Sequence, residues 1–381
     1  MKSAILGFGV VGSGAFEVLE NHGFEVKRVL DIRPHDELGD KLTSNYEDIL
    51  NDKEIGVVAE AIGGLEPAHT FVVKALKAKK HVVSSNKHLI CTYYDELHTL
   101  AKENGVTLRF TSSAGGGIPW LYNLKRSVRC DDITKVMGIM NGTTNFILDA
   151  MISDGSDFDE VLKEAQRLGY AEANPSADID GLDTARKTAI SSSIAFNTII
   201  KEENVDIFSL RFIKKCDIDY ITSKLNKTVR YLGFGVKSEG GASAFVEPAL
   251  LASDALESNV RKNNNMISLF GKDVGRLSFF GQGAGKYPTG NALAQDVIDI
   301  INGSRELEYA PCDIKVDNSA CERAYYIRTS ADINYDFFDS VDVIDGSKYI
   351  ITKKTTVSRM HEVAKEIYSL DANAFFAGIE E

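Results

Sequence analysis

A chain of 381 residues with 44% hydrophobic side chains is long enough for two or three domains, each with its own core. Its 55 acidic against 43 basic residues give a formal charge of -12, which argues against nucleic-acid partners, and no apolar run approaches the roughly 20 residues that cross a bilayer. Five cysteines, Cys91, Cys130, Cys216, Cys312 and Cys321, form no CxxC pair and are odd in number, so neither a disulfide frame nor a zinc site is expected; a reducing, cytoplasmic setting is.

Through residue 130 short apolar runs alternate with amphipathic stretches. SAILGF, EVKRVLD, IGVVAEAI, HVVSS and VTLRFTS read as strands, and SAILGF as a first strand rather than a signal peptide, because glycines interrupt it. Strands separated by helices imply βαβ units and a parallel, doubly wound sheet of α/β class, with ligands at the carboxyl ends of its strands.

Gly7-Phe8-Gly9-Val10-Val11-Gly12 follows the first strand and opens a helix, and Asp31 ends the next strand. In that context GxGxxG is a dinucleotide signature. Gly7 allows the tight turn, Gly9 the approach of the pyrophosphate, and Gly12 close packing of helix on strand. Asp31 would accept from the ribose hydroxyls and repel a 2'-phosphate, favouring NAD slightly; Arg33 could swing to that phosphate, so NADP stays open. A solvated loop carboxylate is the plainer reading of Asp31. Ile62-Gly63-Gly64 ends the third strand, either as a plain turn or as a backbone surface for the nicotinamide. Ser84, Ser85, Asn86 and Lys87 then end the HVVSS strand at the cofactor edge, where Lys87 is either solvated or turned to substrate.

From residue 131 the texture changes to α+β: strands ITKVMGIM and ASAFVEPALL mix with helices at 159–170 and 182–201. Within 171–187, AEANPSADIDGLDTARK, the acids suggest a calcium loop. With Gly181 sixth, however, Lys187 would occupy the twelfth position, where a bidentate glutamate is required. The stretch reads instead as a helix start, with Asp180 as N-cap and Asp183 and Lys187 as an i,i+4 pair of roughly 0.3 to 0.5 kcal/mol. The helix that follows is mostly apolar and small, so this pair is expected to be partly desolvated. A helix at 288–303, a hairpin with an Asp345-Gly346 turn, a helix at 357–370 and a strand at 373–380 complete the chain.

GFGVVG, AIGGLEPA, HVVSSNKHL, AGGGIP, GIMNGTTNFIL, GYAEANPSADIDGLDTARK and GQGAGKYPTGNA occur in one order from about residue 2 to 303. In these seven elements the chain resembles homoserine dehydrogenases, NAD(P)-dependent enzymes that interconvert L-aspartate 4-semialdehyde and L-homoserine on the route to threonine and methionine. The resemblance implies a Rossmann-type domain at 1–130, with 285–310 returning to it, and a substrate-binding and dimerisation domain at 131–284. It implies a shortened ACT-like module at 320–381 whose threonine feedback is in doubt, and a homodimer or dimer of dimers.

It further implies that Lys87 and Lys187 handle the proton of the substrate oxygen, with Asp183 supporting Lys187, and leaves open which lysine is the donor. Glu172 would bind the substrate ammonium, with Asp178 beside it. Gly142, Thr143 and Thr144 would line the substrate pocket, where NGTTN also reads as a turn with a threonine cap, and the GAG of Gly283 to Gly285 would return to the cofactor. A sodium or potassium ion would sit on the backbone of Ala114, Gly116 and Ile118, weakened because Thr111 stands where the family has a glutamate. Two other readings are a dinucleotide-binding regulatory protein without turnover, and an oxidoreductase of another amino-acid aldehyde or ketone. An acylating dehydrogenase would need a cysteine nucleophile, and no cysteine lies in such a motif.

Overall fold

The computed structural model describes residues 1–304 and 314–380, so Cys312 and residues 305–310 lie outside the described residues. The chain divides into two units: Met1–Cys130 with Gly281–Ala310, and Asp131–Phe280 with Pro311–Glu381.

In chain order the first segment holds β1 (Lys2–Leu6), α1 (Val10–Asn21), β2 (Val26–Leu30), β3 (Leu42–Thr43), α2 (Glu47–Leu50), β4 (Ile55–Glu60), α3 (Ala68–Lys77), β5 (His81–Ser84), α4 (Lys87–Asn104), β6 (Leu108–Arg109) and α5 (Trp120–Ser127). The second holds β7 (Ile133–Ile139), α6 (Gly142–Asp154), α7 (Phe158–Arg167), α8 (Ser176–Ile179), α9 (Leu182–Phe196), β8 (Asp206–Ile207), α10 (Lys215–Leu225), β9 (Lys227–Ser238), β10 (Gly241–Ala252), β11 (Asn264–Gly271) and β12 (Gly275–Gln282). Then come α11 (Lys286–Ile301), β13 (Glu322–Thr329), β14 (Phe338–Ile344), β15 (Ser347–Thr352), β16 (Thr355–Thr356), α12 (Val357–Leu370) and β17 (Phe375–Ile379).

In the first unit six parallel strands run in the order β3-β2-β1-β4-β5-β6, the doubly wound order of a dinucleotide-binding sheet. β1 and β4 are buried almost throughout, and this is why they read as unbroken apolar runs. α11 closes the unit by packing on α1. A side chain at Gly14 would collide with the Lys286 carbonyl, and one at Gly290 with the Gly14 backbone, so the two helices touch main chain to main chain. Ile5, Ala15, Val29, Val57, Leu293 and Val297 share the resulting core.

The second unit is built on a mixed sheet in the order β12-β11-β7-β9-β10-β17-β13-β15-β14, with β8 added to β10 and β16 to β13. β17 pairs in parallel with β10 and antiparallel with β13, so the strands of the tail continue the sheet begun by β7, β9 and β10. Asp345 and Gly346, with φ of +49° and +80°, form the expected hairpin turn between β14 and β15. α12 buries Met360, Val363 and Ile367 against Tyr325 and Ile350, and the His361 ring stacks on Phe208 at 3.8 Å.

α9 lies on this sheet unusually close, because small residues meet glycines. A side chain at Gly233 would strike Thr188, and one at Gly235 would strike Ser192. Twelve of the helix's fifteen residues are buried, Asp183 and Lys187 among them. The sequence therefore places a carboxylate and an ammonium group inside the unit rather than on its surface.

Candidate active site

In the first unit the GxGxxG loop behaves as its glycines require. Gly7 has φ +90°, a conformation that strains any other residue, and lies against the Ala61 carbonyl. A side chain at Gly12 would collide with the Gly7 carbonyl, so the turn and the helix seat directly on each other. Gly9, the N-cap of α1, offers no side-chain cap, and the space where its Cβ would lie is open. No acidic residue occupies the first turn of α1. An uncapped 12-residue helix end beneath open space fits a pyrophosphate, whose charge complements the helix dipole. Phe8 is buried, Val11 half-buried and Val10 exposed.

Asp31 is committed more firmly than the sequence suggested. Its carboxylate accepts the backbone N–H of Phe8 at 2.8 Å and that of Arg33 at 2.9 Å, and the Arg33 guanidinium grips it through Nε and Nη2. Burial opposes the charge, but these bonds outweigh it and hold the carboxyl well below the usual carboxylate range. Glu60, at the end of β4, is a partner the sequence reading missed. Fully buried, it accepts from Ile62 N, Gly63 N and the Ser84 hydroxyl, the last at 2.5 Å. It thus organises three of the expected cofactor residues, and burial pushes its carboxyl above the usual range. Asn86 caps α4 by accepting from Leu89 N, donates to the Gly64 carbonyl, and fixes half-buried Lys87 in the first turn.

The two glycine-rich segments that the sequence presents separately meet in this unit. A side chain at Gly116 would collide with Gly283, and Gly117 N donates to the Gln282 carbonyl. Gly285, with φ +128°, is the N-cap from which α11 starts. Thr111 donates its N–H and hydroxyl to buried Asp296 on α11, at 2.9 and 2.8 Å, while Arg109 lies between Asp296 and Asp299. The Ile118 carbonyl already accepts Trp120 N at 2.7 Å. No cluster of three or more His, Cys, Asp or Glu suited to a metal exists among the described residues.

In the second unit a chain of hydrogen bonds joins Asp178, Asn141, Asp183 and Lys187. The Asn141 amide donates to Asp178 at 2.7 Å and to Asp183 at 2.9 Å, and Lys187 Nζ donates to Asp183 and to the Met140 carbonyl, both at 2.7 Å. The Asn141 side-chain oxygen caps α6 by accepting Thr144 N. The cap of NGTTN is therefore the asparagine, which sequence reading passed over although Asn before a helix start is a standard signal. Burial, and secondly repulsion from Asp183, push the Asp178 carboxyl above its ordinary range, while the Asn141 bond opposes this. Thr143 ties the α6 start to the Tyr170 carbonyl at 2.6 Å, and Gly142 lies against the Asn263 carbonyl.

One expectation is overturned. Asp180 does not cap α9: it ends α8, and its carboxylate turns to Ser209 and to a two-pronged pair with Arg211. The N-cap is Gly181, at φ +88°, where a side chain would collide with the Tyr231 hydroxyl. An arginine 31 residues away outcompetes the local helix end for the carboxylate. Glu172 is exposed.

Comparison with known proteins gives matches along most of the chain. Residues 7–111 match the family model for the homoserine dehydrogenase NAD binding domain, and residues 119–298 the model for homoserine dehydrogenase. Homoserine dehydrogenase of Bacillus subtilis is 37% identical over 320 residues, covering 80% of this chain and 74% of that protein. The Pseudomonas aeruginosa enzyme is 35% identical, covering 87% and 82%. Among solved structures, a homoserine dehydrogenase from Thiobacillus denitrificans superposes with a TM-score of 0.89 at 30% identity, covering 100% of this chain and 98% of that one. The S. aureus enzyme at pH 7.5 gives 0.78 at 29%, covering 100% and 98%.

Proposed function

The chain belongs to the homoserine dehydrogenase family, and on that premise we propose how its residues divide the interconversion of L-aspartate 4-semialdehyde and L-homoserine. A nicotinamide cofactor, when bound, supplies or accepts the hydride at its C4.

The observation that carries the assignment is the buried Lys187 ammonium. Two of its three N–H donors are held by the Met140 carbonyl and Asp183, which leaves one for the substrate oxygen. We assign Lys187 to the proton transfer, Asp183 to orienting it, and Asn141 to fixing both carboxylates. Asp178 and exposed Glu172 are assigned to the substrate ammonium, with Gly142, Thr143 and Thr144 forming the adjoining wall. Lys87, Ser84 and the loops at Gly7–Gly12 and Ile62–Gly64, together with Gly283 and Gly285, are assigned to the cofactor side. No helix among the described residues is long and apolar enough to cross a membrane. The cysteines, which form no CxxC pair, support a reducing, cytoplasmic setting, and we expect a homodimer or dimer of dimers.

Cofactor choice turns on Asp31 and Arg33. Asp31 stays ionised and repels a 2'-phosphate, while the exposed Arg33 can rotate toward one, so we expect a preference for NADH of less than about tenfold in kcat/KM. Thr111 is engaged with Asp296 and the Ile118 carbonyl with Trp120, so replacing potassium by choline should leave the rate within about twofold, too small a change for a lost ligand. Initial rates with each cofactor in each salt test both points. A large NADPH advantage would assign Arg33 to the 2'-phosphate, and a collapse in choline would restore a cation on Ala114, Gly116 and Ile118.

A further inference from the structure

We propose that Lys286 is a phosphate-binding residue for the dinucleotide, held in the free enzyme by an ion pair with Glu17 that the incoming phosphate displaces. This rests on the dinucleotide reading of the same unit.

A cavity of about 490 Å3 opens at the start of α1, where Gly9, Val10, Ser13, Glu17 and Lys286 are among the residues that line it. The Lys286 backbone is not free to move, because it seats on Gly14, one turn into α1. Its side chain is therefore tethered beside the uncapped helix end. Lys286 Nζ pairs with Glu17 Oε1 at 2.6 Å, and the Tyr287 hydroxyl donates to Oε2 of the same carboxylate at 3.0 Å.

The Lys286 and Glu17 side chains are 38% and 41% exposed, so water screens their attraction and the pair exchanges readily. A phosphate offers the same ammonium a more concentrated charge, next to a helix N-terminus that already favours anions. Glu17 then has Tyr287 as a remaining donor, so releasing the lysine strands no buried charge. His35 and Glu37, just beyond the β2 end where the adenosine ribose binds in this fold, also line the cavity. The phosphate is therefore either the pyrophosphate or a 2'-phosphate. A lysine, a point charge on a flexible stem, suits both.

Equilibrium binding of NADH and NADPH to the full chain without substrate, followed by nicotinamide fluorescence, tests this. Lys286→Met should weaken binding about tenfold, and Lys286→Arg should restore it. Equal weakening for both dinucleotides identifies the pyrophosphate, and weakening of NADPH alone the 2'-phosphate; both support the proposal. Glu17→Gln should tighten binding about threefold by freeing the lysine. Wild-type affinity for both dinucleotides in the methionine variant would overturn the assignment, and weakening in Glu17→Gln would overturn the displaced ion pair. If the wild-type protein binds neither dinucleotide, the underlying reading itself fails.

Discussion

Lys187→Ala lowers kcat by roughly 10² to 10⁴-fold while dinucleotide affinity stays within about twofold, because that is the worth of general acid–base assistance and the NAD binding domain lies in the other unit. The substitution also takes the ammonium from buried Asp183, which keeps the Asn141 amide, and removing one partner of a buried pair costs up to about 3 to 5 kcal/mol. Lower thermal stability is therefore expected and would by itself say nothing about catalysis. Lys187→Met combined with Asp183→Asn removes both charges, and it should recover most of the lost Tm without recovering turnover. If the double variant regains both, or the alanine variant turns over near the wild-type rate, the pair is a buried structural contact and the proton assignment is wrong.

Asn141→Ser separates capping from positioning. Serine caps α6 as well as asparagine does, so the helix start should be kept and any loss of Tm should come from the two lost amide bonds alone. It cannot donate to Asp178 and Asp183 together, and losing two bonds to buried carboxylates at about 1 to 3 kcal/mol each should cut kcat/KM for the semialdehyde by roughly 100-fold. The pH profile gives a readout that a structural role would not move. The Asn141 bond favours the ionised form of Asp178, whose carboxyl burial already pushes up. Losing that bond raises it further, so the acid limb of kcat/KM should shift to higher pH. An unchanged acid limb with an intact rate would reduce Asn141 to a helix cap.

What the sequence discloses follows the range of the interactions involved. The parallel strands are readable because burial on both faces makes β1 and β4 continuous apolar runs. Asp183 and Lys187 share a face by helical period alone, and the small residues of α9 announce its burial. β6 is different: an apolar run through residue 112 shrinks to Leu108–Arg109, because Thr111 turns to an aspartate 185 residues later. Asp180 fits a helix cap on local grounds and is claimed by Arg211 instead. Asn141 could have been identified as a cap, but its hold on carboxylates 37 and 42 residues ahead depends on α9 packing against the β9 glycines. Glu17 and Lys286 are 269 residues apart, joined only because α11 returns to pack on α1.

Reduced nicotinamide cofactor carrying deuterium at both C4 positions, incubated with the purified chain and L-aspartate 4-semialdehyde, tests the central claim most directly. The account predicts homoserine heavier by one deuterium, bound at the carbon that was the aldehyde, with oxidised cofactor formed in equal amount. Unlabelled homoserine, or no homoserine with either NADH or NADPH, would contradict it.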